Sequence, residues 1–438
     1  MHERRQALGG YLPARREDDR PLETPGREIF QTQLMGSGER EISTTMAFVR
    51  ILTKLLKDKQ IGKLIVPIIP DEARTFGMES LFRQVGIYSH TGQLYEPVDA
   101  GTLMYYHEAK DGQLLEEGIT EAGSMSSFIA AGCAHATHGI NTIPFFVYYS
   151  MFGMQRIGDL VWAAGDMRSR GFMIGGTAGR TTLNGEGLQH QDGNSHLLAY
   201  PVPNLKAYDP AFAFELAAII KDGIRRMYVD QEDVFYYVTV ENEPYPMPVQ
   251  PEGCEEGILR GMYRFRASGN DSAELRAHLF GAGPILNQAL RAHEILEEKF
   301  NVAADVWSIT SFKELHMDGT ACDRFNRLHP DEARKATWIE QCLGDTDGVY
   351  VIASDYVKAL PHSICKWFPR APVALGTDGY GRSESRSALR RFFEVDAEHI
   401  VVATLNSLAA EGKIGREVVD AAIAEFGIDP DAPNPVTV

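Results

Sequence analysis

Residues 143–176, IPFFVYYSMFGMQRIGDLVWAAGDMRSRGFMIGG, decide the fold class of this chain. Ile143–Tyr149 is a continuous apolar run, the pattern of a strand buried on both faces rather than one that alternates between core and water. Residues 155–167 then space apolar side chains at helical intervals, and 171–175 return to a short apolar strand. A buried strand, a helix and a second buried strand within about 30 residues form the unit that builds a parallel sheet with helices on its faces.

The same grammar extends in both directions. Ile42, Met46, Val49, Leu52, Leu55 and Leu56 mark a helix, and KLIVPIIP at 63–70 a buried strand. A small-residue helix is expected over 124–136, another helix over 210–227 and a strand over 233–240. ENEPYPMPVQPEG, residues 241–253, holds four prolines in thirteen positions, which neither a helix nor a central strand can continue, so the domain boundary falls there. Beyond it the spacing predicts strands at 277–281, 305–310, 348–353 and 371–376, with helices at 284–300, 397–411 and 416–426. The expected fold is α/β with two open, mostly parallel sheets: residues 41–245 in the first domain and 246–438 in the second. Residues 1–40 are a Pro, Arg and Glu mixture without helical or strand periodicity and read as a linker or tail.

Composition agrees with two domains, because 438 residues exceed the roughly 250–300 at which a single core stops growing. The 44% hydrophobic and 24% charged residues are those of a globular protein. A formal charge of -17 repels phosphate backbones and anionic lipid, which argues against nucleic-acid and membrane partners. Cys133, Cys254, Cys322, Cys342 and Cys365 are odd in number, widely spaced and free of any CxxC pair, which points to free thiols and a cytoplasmic setting. The amino-terminal stretch has no apolar core of a signal peptide, and no run of about 18 apolar residues follows it.

Several catalytic signatures are absent: the phosphate-loop GxxxxGK[ST], HExxH and GxSxG. Gly281 and Gly283 follow an apolar strand, but Leu286 stands where a dinucleotide fingerprint needs its third glycine, so a tight turn is the stronger reading. The most unusual region is GGTAGRTTLNGEGLQHQDGNSH, residues 175–196, a long polar loop directly after a strand. Such loops in compact domains are usually functional, and open α/β sheets bind ligands at the carboxyl ends of their strands. It carries Arg180, Asn184, Glu186, His190, Asp192 and His196, suited to proton transfer or anion recognition, although its Asn, Asp and Gly could equally serve turns. The spacing of His190, Asp192, Asn194 and His196 matches neither a zinc pair nor a calcium loop, and no metal ligand is assigned. In EEGITEAGSMSS, residues 116–127, Glu121 opens a helix of small residues, where it either caps the helix or faces a flat ligand brought close by them. Tyr149 and Phe152 close an aromatic strand, and Asp71 and Glu72 directly follow another.

These stretches, together with PDEARTFGMESLFRQVGIYS and LGTDGYGRSESRSALRRFFEVD, resemble the pyruvate dehydrogenase first component of the homodimeric bacterial type, from about Arg4 to the end. The resemblance implies a pyrimidine-binding domain of the thiamine-diphosphate fold followed by a transketolase-type carboxyl-terminal domain. It implies oxidative decarboxylation of pyruvate, with the acetyl group passed to the lipoyl domain of dihydrolipoyl acetyltransferase. Residue by residue, Glu121 matches the glutamate that hydrogen-bonds N1′ of the cofactor's aminopyrimidine, Phe152 the ring that stacks on it, and Tyr149 a nearby active-site tyrosine. Glu186 and His190 match catalytic polar groups on the pyruvate side, and Asp71 and Glu72 acidic residues of the same cavity.

Members of that family hold Mg2+ and the diphosphate through a GDG motif on a preceding domain, and no GDG triplet occurs here. The resemblance therefore implies that those ligands come from a missing domain, a diphosphate-domain chain or a second subunit. A dehydrogenase of another 2-oxo acid and a noncatalytic docking or dimerisation module are the competing readings.

Overall fold

The first domain follows the expected alternation and adds to it. Its elements are α1 (Arg27–Leu34), α2 (Thr44–Leu55), β1 (Ile65–Ile69), β2 (Leu115–Glu116), α3 (Glu121–Gly132), β3 (Ile143–Tyr149), α4 (Met154–Asp166), β4 (Phe172–Gly176), β5 (Leu205–Tyr208), α5 (Ala213–Ile224) and β6 (Phe235–Thr239). The structure is a computed structural model that describes residues 1–7, 22–70, 73–97, 106–270, 272–344 and 346–438. The six strands lie in the order β2-β1-β3-β4-β6-β5, each parallel to its neighbours.

Strand alternation explains why β3 reads as continuously apolar. Phe145 and Val147 pack on one face with Phe48, Leu52, Leu216 and Ile220 of α2 and α5. Phe146 and Tyr148 pack on the other with Met125 and Phe128 of α3 and Ile157 and Val161 of α4. Both faces are thus covered. Ser43 caps α2 by accepting from the backbone N–H of Met46 at 3.1 Å.

The second domain contains β7 (Met262–Arg266), β8 (Leu275–Ala282), α6 (Leu286–Phe300), β9 (Val302–Ile309), α7 (Phe312–Leu328), β10 (Val349–Ala353), β11 (Val373–Leu375), α8 (Arg386–Phe392), α9 (Ala397–Ala410) and α10 (Arg416–Glu425). Its strands lie in the order β7-β9-β8-β10-β11, all parallel except β7, an antiparallel edge. The glycine pair serves a tight turn: a Cβ on Gly281 would lie 2.5 Å from Cα of Leu286, and Gly283 has φ +50°.

The structure adds several elements to the sequence expectations, among them the short strand β2 and helix α8. Residues 27–34, expected within a tail, form α1, which buries Ile29 and Phe30 against α5. Eight residues with two buried apolar side chains give no readable period, and packing supplies what local propensity does not. Strands β5 and β7 escaped notice because one is four residues long and the other is an edge with exposed positions. Helix α7 buries only Phe312, Lys313, Leu315 and Gly319, too few for a clear stripe. Among the described residues no helix is long and apolar enough to cross a membrane, and all five cysteines are free thiols.

Candidate active site

The strand order creates the site. From β1 the chain goes outward to β2 and then returns to build β3, β4 and the rest on the other side, so the crevice between the carboxyl ends of β1 and β3 is a topological switch point. A cavity of about 240 Å³ lies there, lined by Pro70, Phe76, Ile119, Glu121, Tyr148, Tyr149, Phe152, Arg156, Gln189 and His190.

Glu121 is the first residue of α3, whose amino terminus is closed by Thr120 accepting from the N–H of Gly123 at 3.1 Å. The helix dipole favours its carboxylate there. Its side chain is only 13% exposed, and Oε1 lies 3.2 Å from Nη1 of Arg156. The Arg156 guanidinium carbon sits 4.0 Å from the centre of the Phe152 ring. A flat, hydrogen-bonding cation therefore already spans the carboxylate and the aromatic face, so the donor set and geometry fit an aminopyrimidine ring. The buried Tyr148 hydroxyl, which finds no partner among the described residues, and the neighbouring apolar walls complete a pocket for a largely apolar heterocycle with a few polar points. Burial pushes the Tyr148 hydroxyl well above its usual pKa, so it remains a neutral donor.

Tyr149, Phe152 and His190 meet as a ring cluster, with centroid distances of 5.8, 5.3 and 5.1 Å. Phe76 braces Tyr149 from behind at 5.3 Å. Glu186 lies beside His190, Oε2 to Nδ1 3.0 Å, an ion-pair distance without the alignment of a hydrogen bond. The glutamate is half exposed and the histidine mostly buried, a carboxylate in water next to an imidazole at the cavity wall.

Of the polar residues singled out in the 175–196 loop, only His190 lines this cavity, with Glu186 at its side. Asn184 faces a separate groove with Arg386 and Arg390. Arg180 donates to the carbonyls of Thr377 and Gly379. Asp192 accepts from the N–H groups of Asn194 and Ser195, and His196 Nε2 meets Thr239 Oγ1 at 2.9 Å. These three are buried structural groups. No cluster of three or more His, Cys, Asp or Glu able to hold a metal occurs among the described residues. Asp71 and Glu72 lie outside the described residues. Sequence reasoning missed Tyr148 and Arg156; the second follows Phe152 by four residues, the spacing that places it over that ring.

A family model described as the pyruvate dehydrogenase E1 component middle domain matches residues 22–248. The chain belongs to the pyruvate dehydrogenase E1 component family. A second model, the transketolase-like C-terminal domain, matches residues 261–396. Proteins named pyruvate dehydrogenase E1 component from Pseudomonas aeruginosa and Cupriavidus necator are 55% and 53% identical over 437 and 439 residues, covering 100% of this chain and 49% of each relative. The Escherichia coli K12 protein of that name is 50% identical over 438 residues, covering 99% of the chain and 49% of the relative. The chain thus spans about half the length of the curated relatives it matches. The fold is that of transketolase: the Campylobacter jejuni enzyme superposes with a TM-score of 0.62 at 16% identity, covering 88% of this chain and 48% of that one. A split-gene transketolase chain, solved as an inactive β4 tetramer, gives 0.55 at 16% identity, covering 84% of this chain and 99% of its own.

Proposed function

We propose that this chain supplies the aminopyrimidine side of a thiamine-diphosphate site that oxidatively decarboxylates pyruvate and hands the acetyl group to the lipoyl domain of dihydrolipoyl acetyltransferase. The observation that supports this most is the convergence of Glu121, Phe152 and His190 on one switch-point cavity in a chain of this family. Residues 41–245 would form the pyrimidine-binding unit and 246–438 the transketolase-type unit. In this reading the protein works in the cytoplasm, as part of a homodimer within a multienzyme complex.

When bound, thiamine diphosphate supplies the carbon nucleophile and the electron sink for loss of carbon dioxide. Glu121 holds a proton at the pyrimidine ring nitrogen, a task suited to a mostly buried carboxylate at a helix start. Phe152 covers one face of the ring, which requires Arg156 to swing out of the position it occupies. Tyr149 fixes the tilt of Phe152 and His190. His190 stands at the wall where it can move a proton to or from the substrate oxygen, with the Glu186 carboxylate beside its imidazole. Asp71 and Glu72 match acidic residues of the family's cavity, and no individual role is assigned to either. Mg2+ and the diphosphate would be held by a diphosphate-binding domain from a second subunit or partner chain.

The test is calorimetric titration of thiamine diphosphate with Mg2+ into this chain alone and into its mixture with a separately expressed diphosphate-binding domain of the family. Binding only in the mixture, followed by consumption of pyruvate in preference to 2-oxoglutarate, is the expected result; no binding in either sinks the reading and leaves a docking or dimerisation module. Glu121→Gln should abolish turnover in that mixture with an unchanged melting temperature, and wild-type turnover in the variant would remove Glu121 from its role.

A further inference from the structure

Every residue lining the cavity belongs to the first domain, yet the loop that carries Glu186 and His190 is held from the second. After β4 the chain turns at Thr181 and Thr182, both buried. Asp355, which follows β10, accepts from all four donors of that turn. Its Oδ1 takes the N–H and hydroxyl of Thr181 at 2.8 and 2.7 Å, and its Oδ2 the N–H and hydroxyl of Thr182 at 3.0 and 2.7 Å. The carboxylate is 1% exposed. Further along, the backbone N–H of Arg382 donates to Gln191 Oε1 at 2.7 Å, Gly185 N–H donates to the carbonyl of Glu384 at 3.2 Å, and Gly187 packs against Ser383. Glu186 and His190 lie between these anchors.

We propose that Asp355 is a positioning residue for Glu186 and His190, so that the second domain sets the geometry of a site to which it contributes no wall. A carboxylate that satisfies two backbone and two side-chain donors fixes both the direction and the depth of the turn. Burial pushes Asp355 above the usual carboxylate range while Arg390 and the two threonines oppose that shift, which fits a group kept in place by hydrogen bonds. The role rests on the reading of His190 and Glu186 given above, but its test does not.

Amide deuterium exchange on the full chain separates the two. In Asp355→Ala the amides of residues 183–191 should exchange at least roughly tenfold faster, while those of β8 and β9 keep wild-type protection, because local opening need not cross the sheet. Replacing both threonines by valine keeps their shape and removes only the hydroxyl donors, and should give an intermediate acceleration; replacing both by serine should restore wild-type exchange. The rate at which diethyl pyrocarbonate modifies His190, identified by its loss in His190→Ala, should change in the same order. Wild-type loop exchange in Asp355→Ala, or in the double valine variant should Asp355→Ala fail to fold, would overturn the proposal. So would acceleration spread evenly over both domains. If the loop loosens as expected but His190→Ala retains full turnover, the clamp stands and the catalytic reading falls.

Discussion

Glu215 offers a sharp test of how the two domains are joined. It lies fully buried on α5, where Oε2 accepts the backbone N–H groups of Ala211 and Phe212 at 2.6 and 3.0 Å. Oε1 accepts the hydroxyls of Tyr263 on β7 and Ser308 on β9 at 2.7 and 2.6 Å. Glu215→Met keeps the volume and removes every acceptor. Two buried N–H groups then cost about 1–3 kcal/mol each, the hydroxyls add less because they can rotate, and relief of the buried carboxylate offsets part, so the net loss should be about 3–5 kcal/mol. Glu215→Gln can accept the two N–H groups through its carbonyl and donate its amide to the two hydroxyl oxygens, which holds the loss to about 1 kcal/mol. Burial pushes the Glu215 pKa above the usual carboxylate range. A folded-state value above the unfolded one gives stability that is full at low pH and declines as pH rises through the folded value, so the cost of Gln should shrink as pH rises through that value. Urea unfolding followed by far-UV dichroism and by fluorescence, which comes from Trp307, Trp338 and Trp367 of the second domain and Trp162 of the first, measures all three. Equal losses for Met and Gln, or a Met loss below about 1 kcal/mol, would refute the acceptor argument.

The remaining predictions concern the site and its surroundings. Gly176→Ala would place a Cβ 2.3 Å from Cε1 of Phe76, which lines the cavity and braces Tyr149; the overpacking should cost about 1–3 kcal/mol and alter the near-UV dichroism, and an unchanged spectrum would show that Phe76 yields freely. Glu241 is buried, accepts from Thr44 at 2.8 Å, and is pushed well above the usual carboxylate range by burial and by nearby Asp209. Its contribution is therefore full at low pH and lost as pH rises through the folded value, so Glu241→Gln should flatten the fall of melting temperature on the alkaline side; an identical slope in both proteins counts against a raised folded-state pKa. His190→Ala should lower turnover in the reconstituted enzyme about 10²-fold or more with less than about 1 kcal/mol of lost stability, and a thermal defect with intact turnover would return it to a structural role.

The alternation of buried strands with helices made the parallel sheets readable, because a strand covered on both faces must be apolar throughout. Ile143–Tyr149 is the clearest instance: its two faces join two different helical layers. What escaped was whatever owes its stability to contacts rather than to its own pattern. Helix α1 has only Ile29 and Phe30 to bury besides Gln33, and α7 carries a polar surface broken by Gly319, whose Cβ would strike the Trp367 ring at 2.3 Å. The second of these explains a glycine that otherwise argues against a helix.

The candidate site was legible where one residue type has one use. A carboxylate opening a helix of small residues, an aromatic residue just past a strand and a polar loop after the next strand all converge at the switch point, since parallel strands deliver their carboxyl ends to one side of the sheet. The loop was harder to divide, because polar residues placed to bind a ligand and polar residues placed to bind another domain look alike in sequence. Asp355 lies 174 residues from Thr181 and Arg382 lies 191 residues from Gln191, and no local pattern encodes either pairing. The polarity of 175–196 thus has two causes. His190 lines the cavity with Glu186 at its side, whereas Arg180, Thr181, Thr182 and Gln191 make buried hydrogen bonds across the seam, where losing them would cost more than in a solvent-exposed loop.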